Sequence, residues 1–233
     1  MENTRTTAHE PLLVARDITK DYGSGPVLGG ISLSVRAGET VAIMGPSGSG
    51  KSTLLHCLSG VLQPSTGEVR FAGAELSAAG DRRRSRIRLH DFGFVFQDGQ
   101  LLDELTAAEN VALAARLAGT TRAAAEREAV DLLSRLGVGG LADRRPAAMS
   151  GGQAQRVAIA RALANSPQVV FADEPTGALD QATGHEVIQL LTALTAERGA
   201  SLVMVTHDRG VADWCGRLVE IRDGIVHADR SNR

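Results

Sequence analysis

The sequence predicts an α/β fold in which helices cover both faces of a mostly parallel sheet. Short apolar runs, which are typical of buried strands, alternate with segments whose apolar residues recur every three to four positions. The chain has 233 residues, 43% of them apolar, which is enough for a substantial hydrophobic core. Two cysteines exclude a disulfide-rich fold, and a formal net charge of −2 disfavours a dedicated nucleic-acid binder.

The first third of the chain contains both kinds of strand. Residues 12–18 and 30–35 alternate in hydrophobicity and are predicted to be half-exposed antiparallel strands, joined by a turn at residues 23–26. Residues 40–44 form an apolar run that stops at Gly45, as a buried parallel strand would. A helix with one apolar face is predicted next over residues 53–61, and residues 67–71 are predicted to form a strand. The residues of that helix face are Leu54, Cys57, Leu58 and Val61.

In the middle of the chain, one more predicted strand is followed by a long segment without any strand pattern. The strand predicted at residues 91–96 places Phe92, Phe94 and Phe96 on one side, where they are expected to anchor a core. The Ala-rich segment 101–137 has no strand pattern and is predicted to be a helical insertion with a break at residues 119–121.

Strand patterns return in the last third. They cover residues 168–172 and 201–205, and the helix between them has a candidate capping box at Thr183 and Glu186. Residues 217–227 are predicted to form a hairpin with its turn at Asp223-Gly224.

A glycine-rich segment between the predicted strand 40–44 and the following helix fits the pattern G-x-x-x-x-G-K-[ST]. Glycines let backbone amides curl around a phosphate, toward which the helix directs its positive end. Lys51 is predicted to reach the β- and γ-phosphates and Ser52 to offer its hydroxyl to Mg²⁺. The predicted nucleotide-binding residues are Gly45, Pro46, Ser47, Gly48, Ser49, Gly50, Lys51, Ser52 and Thr53. The sequence therefore predicts a nucleotide-binding loop of the P-loop type, which alone does not distinguish kinases, GTPases and motor ATPases.

Two adjacent carboxylates, Asp173 and Glu174, follow an apolar strand. At the carboxyl edge of a parallel sheet they would lie beside the phosphate loop. Asp173 is predicted to hold Mg²⁺, directly or through water, and Glu174 to polarise the water that attacks the nucleotide. Carboxylates that end a buried strand are costly unless they have a function, so the pair predicts hydrolysis.

Residues 149–153 closely resemble the signature sequence of ABC-type ATPases, usually written LSGGQ. The signature residues predicted to bind nucleotide are Ser150, Gly151, Gly152 and Gln153. Ser150 and Gln153 have the spacing of a capping box, and the two glycines permit close approach of a phosphate. In this family the signature of one copy completes the ATP site of another, so the resemblance implies an ATP-dependent head-to-tail dimer.

The resemblance covers almost the whole chain and implies roles for single residues. Gln97 matches the glutamine that touches Mg²⁺ or the attacking water and senses the membrane partner. His207 matches the switch histidine that contacts the γ-phosphate, and Tyr22 matches the aromatic residue that stacks on adenine. Gly177-Ala-Leu-Asp180 matches the D-loop, with glycine where serine is frequent, and Asp180 is counted with the nucleotide-binding residues.

Within the family, the chain most resembles the MacB/LolD branch, through residues 94–97, 101–111, 155–163 and 172–180. This implies an ATP-hydrolysing subunit that drives a separate integral membrane permease of the MacB/FtsX-like type in export or extraction. The permease is expected to dock near residues 97–110. The polar start of the chain and the absence of a long apolar run predict a cytoplasmic protein, held on the inner face of the membrane by its permease.

The resemblance implies one ABC ATPase domain over residues 1–233. Its core, with an N-terminal antiparallel part, would comprise residues 1–97 and 165–233, and residues 98–164 would form the helical subdomain with the signature. Two other functions remain open. A soluble ABC ATPase acting on nucleic acid or ribosomes could use the arginines of residues 82–88, although a solvated helix face is the simpler interpretation of that run. The second is a regulatory, division-type ABC ATPase with little transport.

Only two of the 25 basic residues are lysines. Lys51 lies in the phosphate loop, whereas the sequence assigns no role to Lys20.

Overall fold

The computed structural model describes residues 10–23 and 25–232. Residues 1–9, at the polar start of the chain, and Ser24, in the predicted turn 23–26, lie outside the described residues. The elements in chain order are β1 (Leu13–Asp21), β2 (Pro26–Val35), β3 (Thr40–Met44), α1 (Lys51–Leu58), β4 (Thr66–Phe71), β5 (Ala74–Glu75), α2 (Asp81–His90), β6 (Phe92–Val95), α3 (Ala107–Leu117), α4 (Arg122–Arg135), α5 (Gly151–Leu163), β7 (Val169–Asp173), α6 (Gln181–Glu197), β8 (Ser201–Thr206), α7 (Arg209–Ala212), β9 (Arg217–Arg222) and β10 (Ile225–Ser231).

Two sheets organise the fold. The larger has the strand order β10-β9-β3-β8-β7-β6, and its strands are parallel except for β10, which pairs antiparallel with β9. The smaller is antiparallel, with the order β2-β1-β4-β5. The predicted α/β class is confirmed. Because β3 and β7 both neighbour β8, their carboxyl ends meet at one edge of the sheet, where ligands bind in such folds.

The larger sheet separates two hydrophobic cores, as β7 illustrates. Val169 and Phe171 point into the core shared with α1 and the small sheet. Val170 and Ala172 point into the core shared with α3–α6. The first four positions of β7 are all buried and alternate between the two cores, which is the pattern of a strand covered on both faces. Burial of one such large apolar side chain contributes about 1.5–3 kcal/mol.

Helix α1 differs from the prediction at both ends. It begins at Lys51, because Gly50 adopts the left-handed conformation (φ 93°) that lets the chain turn from the loop into the helix. It ends at Leu58, and Gly60 follows with φ 65°. The prediction that Val61 lies on the inward face of this helix was wrong, since Val61 follows the helix and is half exposed.

The helical prediction for residues 101–137 was wrong for its first six residues. These form a loop held by the buried side chain of Asn110 in α3, which accepts from the amide of Leu102 at 2.8 Å and donates to the Leu102 carbonyl at 3.0 Å. Thr106 and Glu109 then form a capping box that begins α3. Residues 98–164, all of them described, contribute α3, α4 and α5 and no strand.

The predicted capping box at Thr183 and Glu186 was also wrong. Asp180 caps α6 instead, because its Oδ1 accepts from the amide of Thr183 at 3.1 Å. This hydrogen bond holds the pKa of Asp180 below its usual value.

The arginine run 82–88 forms most of α2 and is only partly a solvated face. Arg84 is buried and pairs with Asp81, and Arg88 donates to the Gly60 carbonyl at 2.8 Å. The exposed arginines of the run are Arg82, Arg83 and Arg86. Two of the five arginines therefore have structural roles, which reduces the cationic surface available to a polyanion.

Candidate active site

The loop between β3 and α1 is shaped by close approaches that only glycine permits. A Cβ added at Gly45 would lie 2.0 Å from the carbonyl oxygen of Ile221, and one added at Gly50 would lie 2.7 Å from that of Val27. Ser49 Oγ is buried and, among the described residues, has no hydrogen-bond partner. The loop is thus packed tightly against its neighbours, which fixes the backbone that would surround a phosphate.

The start of α1 supplies the donors expected of a phosphate site. The Leu54 amide donates to the Gly50 carbonyl at 2.8 Å and makes the first α-helical bond of this segment. The amides of Lys51, Ser52 and Thr53 therefore precede the first helix bond, and such amides favour anions. Lys51 is 8% exposed, and its Nζ donates to the Gly45 and Pro46 carbonyls, both at 2.9 Å. A cation and oriented amides thus lie together, so the loop fits a nucleotide phosphate.

Two of the three predicted Mg²⁺ residues, Ser52 and Asp173, are in direct contact. Ser52 Oγ donates to Asp173 Oδ1 at 2.9 Å, across the β3–β8–β7 edge of the sheet. The described residues contain no cluster of three or more His, Cys, Asp or Glu side chains suited to a metal. One hydroxyl and one carboxylate nevertheless fit Mg²⁺, which usually takes few protein ligands and completes its shell with water and phosphate oxygens.

Glu174 directly follows β7 and His207 directly follows the neighbouring strand β8, and their side chains are in contact. Glu174 Oε2 lies 2.9 Å from His207 Nδ1, and the Glu174 amide donates to the Val205 carbonyl at 3.0 Å. Glu174 has φ 48°, a left-handed conformation that is uncommon for a non-glycine residue and occurs often at functional sites. The Glu174 side chain is 20% exposed and that of His207 is 67% exposed. The carboxylate is therefore held in place but remains accessible to water.

Gln97 lies beside the segment that follows Glu174. A Cβ added at Gly177 would lie 2.9 Å from the Gln97 amide carbon, and the Gly177 amide donates to the Glu174 carbonyl at 3.0 Å. A serine at position 177 would therefore displace the Gln97 side chain. The structure thus gives a packing reason for glycine at this D-loop position.

The signature segment forms the start of helix α5. Ser150 and Gln153 form the predicted capping box, with the Gln153 amide donating to Ser150 Oγ at 3.3 Å and the Ser150 amide to Gln153 Oε1 at 2.9 Å. Added Cβ atoms at Gly151 and Gly152 would meet Leu179 and Thr183, respectively. Across the described chain, no hydrogen bond joins residues 149–153 to residues 45–53.

Tyr22 directly follows β1 and is 58% exposed. The structure therefore brings together the phosphate loop, Asp173, Glu174 and His207. Gln97 lies against the segment that follows Glu174, whereas among the described residues no hydrogen bond joins the signature or Tyr22 to these side chains.

Gln155, in the first half of α5, was not predicted as a site residue. It is buried, and its Nε2 donates to the carbonyls of Phe96 and Pro175, both at 2.8 Å. One side chain thus ties the residue before Gln97 to the residue after Glu174. The sequence did contain a signal for this role. Gln155 is spaced four and eight residues before Ile159 and Leu163, so the helical period places a polar side chain on the apolar face of the helix.

We expect Gln155→Leu to destabilise the protein by about 1–3 kcal/mol, because two buried carbonyls would lose their donor. ATP turnover should fall as well, since the backbone segments that carry Gln97 and Glu174 would no longer be connected by the Gln155 side chain. Denaturant unfolding and steady-state ATPase rates measure both effects. Gln189→Leu, at an exposed position of α6, is the matched control. Equal stability of the two variants would contradict the assigned role of Gln155.

A phosphate loop that joins a parallel strand to a helix, with an acidic strand end beside it, defines a P-loop nucleotide-binding protein. Residues 28–177 match the family model described as ABC transporter. The chain belongs to this family of ATP-binding proteins and is an ABC-type ATPase. Within the described residues, none of the helices is both long enough and apolar enough to cross a membrane.

Similar proteins include exporter components. A macrolide export ATP-binding/permease protein MacB from Marinobacter nauticus is 50% identical over 94% of this chain and 34% of that protein. The lipoprotein-releasing system ATP-binding protein LolD from Geobacter metallireducens is 46% identical over 94% of this chain and 99% of that protein. The chain thus spans about a third of the MacB relative and nearly all of LolD.

Solved structures of ATP-binding cassettes have the same fold. One is the dimeric post-hydrolysis state of the cassette MJ0796 bound to ADP and Pi, with a TM-score of 0.88 and 38% identity over 95% of this chain and 99% of that one. The predicted resemblance to the MacB/LolD branch is confirmed by these relatives.

Proposed function

We propose that this chain hydrolyses ATP as a dimer and thereby drives a separate membrane permease in export or extraction. The observation that carries the proposal is the placement of the Glu174–His207 pair beside the phosphate loop and the Ser52–Asp173 pair. In this proposal the core comprises residues 1–97 and 165–233, and residues 98–164 form a helical subdomain.

Each of these residues has a chemical task in the proposed reaction. The loop amides and Lys51 bind the β- and γ-phosphates. Ser52 and Asp173 would hold Mg²⁺, which would supply positive charge against the phosphates of ATP. Glu174 orients the attacking water and accepts its proton, while His207 holds the Glu174 carboxylate and reaches the γ-phosphate. Gln97 contacts the water or the Mg²⁺ shell, and Tyr22 stacks on adenine.

The position of the signature supports a site built from two copies. Ser150, Gly151, Gly152 and Gln153 lie at the start of α5. The capping box uses the amides of Ser150 and Gln153, so the amides of Gly151 and Gly152, together with the helix dipole, favour an anion. Since this helix start makes no hydrogen bond to the phosphate loop of its own copy in the described residues, a second copy turned head to tail would offer its signature to the γ-phosphate. The dimeric state named for the similar cassette structure agrees with this arrangement.

A groove that reaches Gln100, within the expected docking range 97–110, is the proposed docking site for the permease. It has a volume of about 450 Å³, and its lining includes the rings of Phe94 and Phe96 together with Ala114 and Arg161. Burial lowers the pKa of Arg161, whose guanidinium donates to the carbonyls of Gly99 and Gln100. An apolar groove with a guanidinium at its edge fits a short helix of the permease that carries apolar and acidic side chains. The permease would hold this chain at the inner face of the membrane.

We expect Ala114→Arg to prevent co-purification with the membrane subunit, because the longer side chain would fill the groove. Affinity purification from detergent-solubilised membranes measures the association, and the ATPase rate of the isolated chain should remain near that of the parent. Ala123→Arg, on the exposed side of α4, controls for the added charge. If both variants retain the membrane subunit equally, the groove is not its docking site.

A further inference from the structure

Lys20 lies beside the aromatic ring that is proposed to stack on adenine. Its side chain is half-buried near the end of β1, and its Nζ is 5.3 Å from the centroid of the Tyr22 ring. An ammonium within about 6 Å of a ring centroid is attracted by the negative face of the ring. Because Tyr22 is largely exposed, the ammonium covers one face of the ring and leaves it accessible from the solvent side.

The ammonium is fixed from a second direction. Nζ donates to the carbonyl oxygen of Gln63 at 2.9 Å. The neighbouring Leu62 amide donates to the carbonyl of His56, in the last turn of α1, at 3.0 Å. Since α1 begins at the phosphate-loop residue Lys51, a continuous set of contacts connects the phosphate loop with the ammonium over the Tyr22 ring.

We propose that Lys20 is a positioning residue, whose ammonium orients the Tyr22 ring for stacking on the base of ATP. The proposal rests on the adenine-stacking role proposed for Tyr22. A compact ammonium can donate to one carbonyl and face an aromatic ring at the same time. Arginine has a planar, delocalised charge and a longer side chain, so it would keep a cation near the ring but shift the ring from this position. Apart from Lys20 and the phosphate-loop residue Lys51, all 23 basic residues of the chain are arginine. The two contacts of the Lys20 ammonium give a physical reason for lysine at this position.

Lys20→Met removes the charge and keeps a long side chain, so it tests the proposal directly. We expect the Kd for Mg·ATP, measured by titration calorimetry, to rise about two- to fivefold, which is the contribution of a cation–π contact at an exposed site. The KM for ATP should rise more than kcat falls. The Kd for inorganic tripolyphosphate, which has no base, should stay unchanged. Equal weakening of both ligands would overturn the proposal.

Tyr22→Ala separates this proposal from the stacking role on which it rests. If Tyr22→Ala weakens ATP but not tripolyphosphate, adding Lys20→Met should weaken ATP no further, and an additional two- to fivefold loss would overturn the role of Lys20. If Tyr22→Ala leaves ATP affinity unchanged, both the stacking role and the positioning role are overturned, while the assignment of ATP hydrolysis to the phosphate loop and Glu174 stands.

Lys20→Arg is the second variant, with the melting temperature without nucleotide as its folding control. Since arginine keeps a cation near the ring, its loss of ATP affinity should be smaller than that of Lys20→Met and again confined to ATP. Weaker binding of tripolyphosphate by a normally folded Lys20→Arg protein would also overturn the proposal.

Discussion

Glu174→Gln is expected to lower the rate of ATP turnover by about 10²–10⁴-fold, because an amide can orient a water molecule but cannot accept its proton. The affinity for ATP should change little, since the Ser52–Asp173 pair and the phosphate loop remain intact. An ATP-held dimer should then accumulate, because binding persists while hydrolysis stops. Single-turnover hydrolysis and light scattering with ATP or ADP measure the two effects.

The matched control is Glu104→Gln, which removes the same charge from an exposed position outside the site. It should leave turnover and dimer lifetime near those of the parent protein. If Glu174→Gln turns over ATP at the parent rate, Glu174 is not the base. A normal dimer lifetime in a variant that does not hydrolyse ATP would instead contradict the proposed coupling between hydrolysis and dimer opening.

The geometry of Glu174 explains why a large effect is expected from one side chain. A left-handed residue directly after β7 turns the chain out of the sheet, while its amide remains bonded to Val205 of β8. His207, directly after β8, then reaches the carboxylate. Two neighbouring parallel strands thus fix both members of the pair, so little rearrangement is needed when water is activated.

The parts of the site that could be predicted from the sequence are those encoded locally. The phosphate loop requires particular residues at fixed spacing, and the rule that ligands bind at the carboxyl edge of a parallel sheet connects Lys51 with Asp173 and Glu174. The Ser150–Gln153 capping box was predictable for the same reason, because both partners lie within one turn of helix.

Other features depend on contacts between distant segments. Gln155 and Lys20 receive their roles from the carbonyls of Phe96, Pro175 and Gln63, which no local pattern identifies. Val61 fits the helical period, but the glycine before it ends the helix. The loop 101–106 has helical composition, yet the side chain of Asn110 satisfies its backbone in an irregular conformation. A glycine thus ended the helical period before Val61, and side-chain hydrogen bonds of Asn110 overrode it in the loop 101–106.

Lys51→Ala is expected to weaken ATP binding by about 10²-fold or more, because charge-assisted hydrogen bonds to phosphate contribute roughly 1.5–3 kcal/mol each. Turnover should fall below detection at millimolar ATP. The loss should extend to tripolyphosphate, unlike the loss expected for Lys20→Met, since Lys51 acts on the phosphates. Titration calorimetry with both ligands measures this difference between the two lysines.

Lys51→Arg is the informative companion of that variant. Arginine keeps the charge, but a planar fork does not fit the pocket in which the ammonium donates to both the Gly45 and Pro46 carbonyls. We therefore expect Lys51→Arg to hydrolyse ATP nearly as poorly as Lys51→Ala, although its net charge equals that of the parent. Full activity of Lys51→Arg would mean that charge alone suffices at this position, and normal ATPase activity of Lys51→Ala would exclude residues 45–53 as the phosphate site.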